Sequence, residues 1–394
     1  MKLRKVRKDG INEVGCLVVD DNGVPIDRIC RYTLISLDGH ADNTQENITR
    51  HVIHIERWAQ KLEIDLTEEV ALHGLNRGEL FISLIRHLGR YAKHADVVVP
   101  INQKPVEAEY FNQRIDACCG YFDHMAERAT SKRKPNDPMK KRIEENVQRL
   151  VARLKKRKQS TAKASMVTGL SIQLQASLFK GLKDPKYFGW SAGAALRNRL
   201  IIRLFYETGI RRGELLSLTI ENCHTTKLAH GERPFIHTRH NVKYDDPRND
   251  IPHEKTDERI IPISNDLAEL INQYKVVRSA PKAARKQPPY LILSSHAPYP
   301  PLSTSALSSV FDAIKNKIPD INEIGSHRLR HTFFENLDRI LERDGYDDEQ
   351  KKKIKNNIGG WKPLSRQSEN YEKLATYEQS IEAMSRYHSF LENN

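Results

Sequence analysis

The sequence predicts a mainly α protein with a small antiparallel β-sheet, divided between two helical domains. Three observations predict it. Apolar residues recur at helical spacing over most of the chain. Short strand-like segments gather between residues 235 and 294. A polar stretch without periodicity, from 159 to about 170 and containing Ser160, Thr161 and Ser165, parts two sets of helical patterns. At roughly 150 residues per domain, 394 residues admit two or three domains.

Residues 1–43 read as a basic arm or a small β hairpin, because Cys16-Leu17-Val18-Val19 is apolar and Asp21-Asn22-Gly23 signals a turn. Residues 44–160 read as a helical domain. Its first helix sets Ile48, Val52, Ile55 and Ala59 on one stripe, with His51 and His54 read as solvated. Further helices are predicted over 74–93, 107–127 and 142–158. The last of these has Ile143, Val147, Leu150, Val151 and Leu154 as its apolar face. Residues 170–394 read as the second domain. Helices at 170–182 and 195–208 precede strands at 235–240, 259–263 and 290–294, and helices then resume. The chain closes on an amphipathic helix over 380–391, with Ile381, Met384, Tyr387 and Leu391 near one face.

Lys and Arg number 64 against 51 Asp and Glu, a formal charge of +13, which suits a polyanionic partner such as nucleic acid. Two basic clusters flank the helix at 142–158: Lys132-Arg133-Lys134 and Lys155-Lys156-Arg157-Lys158. Cations at a helix C-terminus gain from its dipole. Four in succession exceed that need and read as a phosphate-backbone footprint. The five cysteines form no CxxC pair, which argues against a zinc knuckle or a disulfide framework. Met1 to Lys8 is basic, but no apolar run of signal length follows, and no run is long enough to cross a bilayer. A soluble, cytoplasmic protein with no membrane partner is expected.

Four segments of the second half can carry chemistry. Thr208-Gly209-Ile210-Arg211-Arg212-Gly213-Glu214 places arginines at a helix start, where free N–H groups would also welcome an anion. His253-Glu254-Lys255-Thr256-Asp257-Glu258-Arg259 sets a lysine at a turn before an apolar strand. His327-Arg328-Leu329-Arg330-His331 puts His327 and Arg330 on one helical face. Gly359-Gly360-Trp361 is followed ten residues later by Tyr371, one of 14 tyrosines. The spacing of His327 and His331 invites a metal. However, a zincin needs Glu where Arg328 stands, and Arg330 would set a permanent cation beside the ion, so no metal is expected.

In this order the segments resemble the tyrosine recombinases, or phage-type integrases. Their motifs are an Arg in a Thr-Gly-x-Arg context, a hairpin Lys, His-x-x-Arg-His, Gly-His or Gly-Trp, and a C-terminal Tyr. The resemblance covers the C-terminal half and matches the N-terminal half only as a helical DNA-clamping, or core-binding, domain. It implies a tyrosine-recombinase-like catalytic domain in which Arg211, Lys255, His327, Arg330 and Trp361 surround the nucleophile Tyr371, with Glu214 orienting Arg211 and Arg212 a mere neighbour. Lys243, in the long charged loop 241–253, is the other candidate lysine, and Tyr377 the other candidate nucleophile. The spacing from Trp361 to Tyr371 is one residue longer than the commonest form, a difference a loop absorbs more easily than seven.

The implied activity is site-specific recombination or integration of mobile DNA through a 3′-phosphotyrosyl intermediate, without metal, ATP or other cofactor. The implied partner is double-stranded DNA, bound by a homotetramer on paired sites, with a monomer or dimer when free. The resemblance also implies a bacterial-type, nucleoid-associated protein whose tail helix docks on a neighbouring protomer. A DNA-binding protein that has lost catalysis and an enzyme like the type IB topoisomerases are the alternatives. The complete set of residue types argues against the first, and the clamp-plus-catalytic layout against the second.

Overall fold

In the computed structural model the chain is described except at residues 8–13, 41, 91–104, 162–167, 226–232, 240–245, 249–251, 253–257, 280–287, 322, 362–368 and 393–394. It divides into two units, Met1–Ser165 and Met166–Asn394.

The first unit opens with β1 (Lys2–Arg7) and β2 (Val14–Val19), paired antiparallel with Lys2 opposite Val19. The hairpin is not a free arm. Cys16 and Val18 on its inner face are fully buried, and β2 lies against α2 (Asp42–Lys61). Between them α1 (Asp27–Arg31) runs into a π-helical turn at Tyr32–Ser36. The remaining helices are α3 (Leu66–Ala71), α4 (Gly78–Leu88), α5 (Ala108–Thr130) and α6 (Pro138–Lys155). The long helix expected over 74–93 is shorter than its pattern, because Gly74 takes a left-handed φ of 57° and ends the preceding turn.

His51 and His54, expected in solvent, are buried. His54 stacks on His87 with ring centroids 3.9 Å apart. The Nε2 of each meets the backbone carbonyl of the other, at 3.1 and 3.0 Å. That pairing across α2 and α4 gives the Nε2 of each ring a hydrogen-bond partner, which helps burial to be tolerated.

The second unit begins with α7 (Ile172–Lys183), α8 (Ala192–Thr208) and the short α9 (Arg212–Ser217). A three-stranded antiparallel sheet follows, in the order β3 (Cys223–His224), β4 (Phe235–Thr238) and β5 (Arg259–Pro262). The strand expected over 290–294 is reduced to isolated bridges at Tyr290 and Leu293. Its carbonyls are taken instead by the Arg278 side chain, which donates to Tyr290 and Leu291 at 2.7 and 3.2 Å.

Helices α10 (Asn265–Ser279), α11 (Thr304–Lys317), α12 (Ser326–Arg343), α13 (Asp348–Gly359) and α14 (Glu369–Glu392) complete the unit. The tail helix does not present its apolar face outward. Ala383, Met384 and Tyr387 are fully buried in one cluster with Phe333, Leu337, Ile354 and Ile358. The Tyr387 hydroxyl donates to the Tyr206 carbonyl at 2.9 Å. The tail thus packs within its own unit, where α12 and α13 offer the apolar surface it needs.

Candidate active site

Helix α8 stops at Gly209, which has a left-handed φ of 60° and donates its N–H to the Phe205 carbonyl at 3.1 Å. A Cβ there would lie 2.3 Å from the Phe333 ring. Only glycine therefore meets both demands, positive φ and close approach. Two residues on, Arg211 caps α9 in an extended conformation, and its N–H donates to Glu214 Oε2 at 2.7 Å. The expectation that this N–H would stand open for an anion is corrected: the buried Glu214 carboxylate takes it. Arg212 points to solvent.

Arg211 and Arg330 converge on one atom. The Arg211 Nη1 donates to the Gly359 carbonyl at 2.9 Å, and the Arg330 Nη2 donates to the same oxygen at 2.9 Å. The Arg330 Nη1 donates to the Gly209 carbonyl. Arg330 is buried, while Arg211 keeps partial exposure. Burial, followed by the neighbouring Arg211 charge, pulls the Arg330 guanidinium below the ordinary arginine value. Burial does the same to Arg211, opposed by Glu214.

Trp361 sits where the Gly-Gly sequence allows it. Gly360 adopts a left-handed φ of 62°, and the Trp361 N–H returns to the Asn356 carbonyl at 3.0 Å. A Cβ on Gly359 would press to 2.8 Å from the Trp361 ring. The indole tilts over Phe334 at 4.8 Å and lies 5.2 Å from the Arg330 guanidinium. Arg330 is thereby walled by two aromatic rings, since Phe334 approaches it at 4.9 Å.

Arg259, at the start of β5, was not singled out from the sequence. It donates to both Glu214 oxygens at 2.8 and 3.0 Å, to Thr238 Oγ1 at 3.1 Å and to the Ile358 carbonyl at 2.6 Å. Glu214, expected to serve Arg211, thus pairs mainly with Arg259 and lies 3.6 Å from the Arg211 guanidinium. Arg259 is the arginine that opens the apolar strand directly after the lysine segment. An inward-facing arginine at a strand start was the signal available.

His327 is exposed on α12, and its Nε2 lies 3.1 Å from that of His331. Lys255 and Lys243 lie outside the described residues. Tyr371 and Tyr377 both fall on the backbone of α14, their side chains outside what is described. The structure therefore brings together Arg211, Glu214, Arg330 and Trp361, adds Arg259, and sets His327 on the helix that carries Arg330. Among the described residues no group of three or more metal-ligating side chains occurs.

The basic clusters belong to the first unit. Lys132, Arg133 and Lys134 are exposed after α5, with Arg133 paired to Asp137 at 3.0 Å. Lys155, Lys156, Arg157 and Lys158 are exposed at the end of α6, with Lys158 paired to Asp116 at 2.7 Å.

Among the described residues the guanidiniums of Arg211, Arg259 and Arg330 outnumber the Glu214 carboxylate between them, and forked donors of this kind are chemically able to hold an anion with paired oxygens. Residues 185–349 match the phage integrase family. This stretch is thus of the tyrosine recombinase family, as the ordered motifs implied, and it holds Arg211, Glu214, Lys255, Arg259, His327 and Arg330. Trp361 and Tyr371 follow it. No curated protein matches the chain.

Among solved structures the chain is similar to the XerH site-specific recombinase bound to palindromic difH substrate in a post-cleavage complex. The identity is 15%, covering 89% of this chain and 82% of that one, at a TM-score of 0.45. It is also similar to the Tn1549 transposon integrase in complex with transposon right end DNA, at 14% identity, 91% and 96% coverage and a TM-score of 0.44. The integrase from mycobacterium phage Brujita follows, at 13% identity, 92% coverage of each chain and a TM-score of 0.33.

Proposed function

We propose that this chain is a site-specific DNA recombinase or integrase that cleaves and rejoins strands through Tyr371. The observation that carries the reading is the convergence of Arg211 and Arg330 on the Gly359 carbonyl, within the stretch that matches the phage integrase family. A phosphodiester repels an incoming oxyanion, and its leaving alkoxide is poor. The two arginines grip the non-bridging oxygens and neutralise the pentavalent transition state. A free phenol has a pKa near 10 and must lose its proton during attack, and the arginine field favours the phenolate. His327 assists proton transfer or phosphate binding, Lys255 protonates the departing 5′ oxygen, and Trp361 offers its indole N–H to a phosphate oxygen. The 3′-phosphotyrosyl bond conserves the energy of the broken ester, so rejoining by the 5′ hydroxyl needs no ATP.

In this reading the helical unit clamps double-stranded DNA. Lys132, Arg133, Lys134, Lys155, Lys156, Arg157 and Lys158 contact the phosphates, and four copies act on paired sites in the bacterial nucleoid.

The test is a nicked duplex carrying a site selected from random DNA by binding to the chain. Wild type is expected to give a protein–DNA adduct that survives SDS, and Tyr371→Phe none. Tight binding by wild type with no adduct would overturn the enzymatic reading. An adduct that persists in Tyr371→Phe and vanishes in Tyr377→Phe would move the nucleophile to Tyr377.

A further inference from the structure

Arg259 ties together parts of the site that are remote in sequence. Its forked donors reach Glu214 on α9, Thr238 on β4 and the Ile358 carbonyl in the last turn of α13. Two of these partners lead on to another arginine. Glu214 holds the Arg211 N–H at 2.7 Å and lies 3.6 Å from its guanidinium. The residue after Ile358 lends its carbonyl to Arg211 and Arg330 alike. We infer that Arg259 is a positioning residue for strand cleavage, acting through Glu214 on Arg211 and through the end of α13 on both Arg211 and Arg330. The inference rests on the recombinase reading above.

Packing alone does not call for an arginine here. A buried ion pair is commonly no more stabilising than apolar side chains of similar volume. What an apolar side chain could not do is hold a carboxylate, a hydroxyl and a helix-end carbonyl in one plane. The fixed guanidinium fork does that, and a lysine, as a point donor, does it only in part. Arg259 gives its N–H donors to Glu214, Thr238 and the Ile358 carbonyl, so its effect on the phosphate is indirect.

The test compares two nicked duplexes, one with an ordinary phosphate at the cleaved position and one with a methylphosphonate. The methyl group removes the charge that aligned arginines are needed to neutralise. For Arg259→Met, single-turnover adduct formation on the phosphate is expected to fall on the order of a hundredfold. On the methylphosphonate it should stay within about threefold of wild type, since transition-state charge no longer has to be met. DNA affinity should change by less than about threefold, because phosphate contacts elsewhere dominate it. Glu214→Gln/Arg259→Met removes both buried charges and serves where the single variant melts too low. Arg259→Lys should show a partial loss of about tenfold on the phosphate alone.

An equal deficit on both substrates, or none on either, overturns the positioning role. Absence of any adduct from wild type instead overturns the recombinase reading, and this inference with it.

Discussion

In the first unit the buried Glu56 carboxylate meets one guanidinium, Arg28 at 2.7 Å, and the Tyr121 hydroxyl at 2.5 Å. In the second unit the buried Glu214 meets Arg259 at 2.8 Å and Arg211 at 3.6 Å, while Arg330 shares the Gly359 carbonyl with Arg211. The first arrangement cancels its charge. Among the described residues the second sets three cations, Arg211, Arg259 and Arg330, around one anion, and aligns Arg211 and Arg330 with carbonyl dipoles. The first unit also buries imidazoles, but as neutral rings: burial pushes His54 down to about 3 and His87 to about 4. Neutralised interior polarity serves a scaffold, whereas surplus charge held in place serves a ligand of opposite sign.

The sharpest way to break this contrast is to remove one of the surplus cations. Arg330→Ala should slow adduct formation by about a hundredfold or more in single-turnover assays, with DNA affinity little altered. Arg28→Ala should leave the cleavage rate of the folded protein unchanged and lower the melting temperature. A comparable rate loss in both variants would erase the distinction between the units.

Next in size is the frame that holds the cations. Gly209→Ala forces a positive φ on a residue with a Cβ and drives that atom into Phe333. A loss of about 2 kcal/mol or more is expected in denaturant unfolding, together with a slower cleavage step, since Arg330 is anchored on the Gly209 carbonyl. Phe333→Leu added to it should recover only part of the stability, because the backbone strain remains.

The neutral His54 and His87 give a prediction for the first unit. Their folded pKa values lie below the unfolded value of about 6.5, so the unfolded state takes up more protons as pH falls. The stability they permit is therefore complete above about pH 6.5 and declines toward pH 4, by on the order of 3 kcal/mol for each ring. Amide exchange in α2 and α4 should accelerate over that window, and His54→Gln should flatten the dependence. Smallest is the effect of the surface lysines. Lys155→Ala/Lys156→Ala should weaken DNA binding uniformly across sequences and lower the salt slope by about two.

Much of the site was legible because its residues fall in short motifs with a fixed order. Arg211, Glu214, Arg330 and Trp361, which those motifs single out, lie near one another in space. Arg259 was missed because a single arginine opening an apolar strand has no local signature; its partners lie 21, 45 and 99 residues away. The His54–His87 pair escaped for the same reason, since helical periodicity reports a face but not what covers it. The segment at 290–294 had the composition of a strand, but Arg278 competes for its carbonyls. The tail helix was recognised by its apolar face, and only the surface offered by α12 and α13 decides that it folds back on its own unit.

The shared Gly359 carbonyl has a thermodynamic consequence. A dipole orients a cation without discharging it, so the repulsion between Arg211 and Arg330 remains in the folded state as a standing cost. Any anion that enters relieves it, and binding to the folded form alone raises stability with the logarithm of concentration. The melting temperature of the second unit should therefore climb with added sulfate more than with chloride at equal ionic strength, and Arg330→Ala should lose most of that difference. On the recombinase reading, the phosphate of the substrate is also a counterion for this arginine pair.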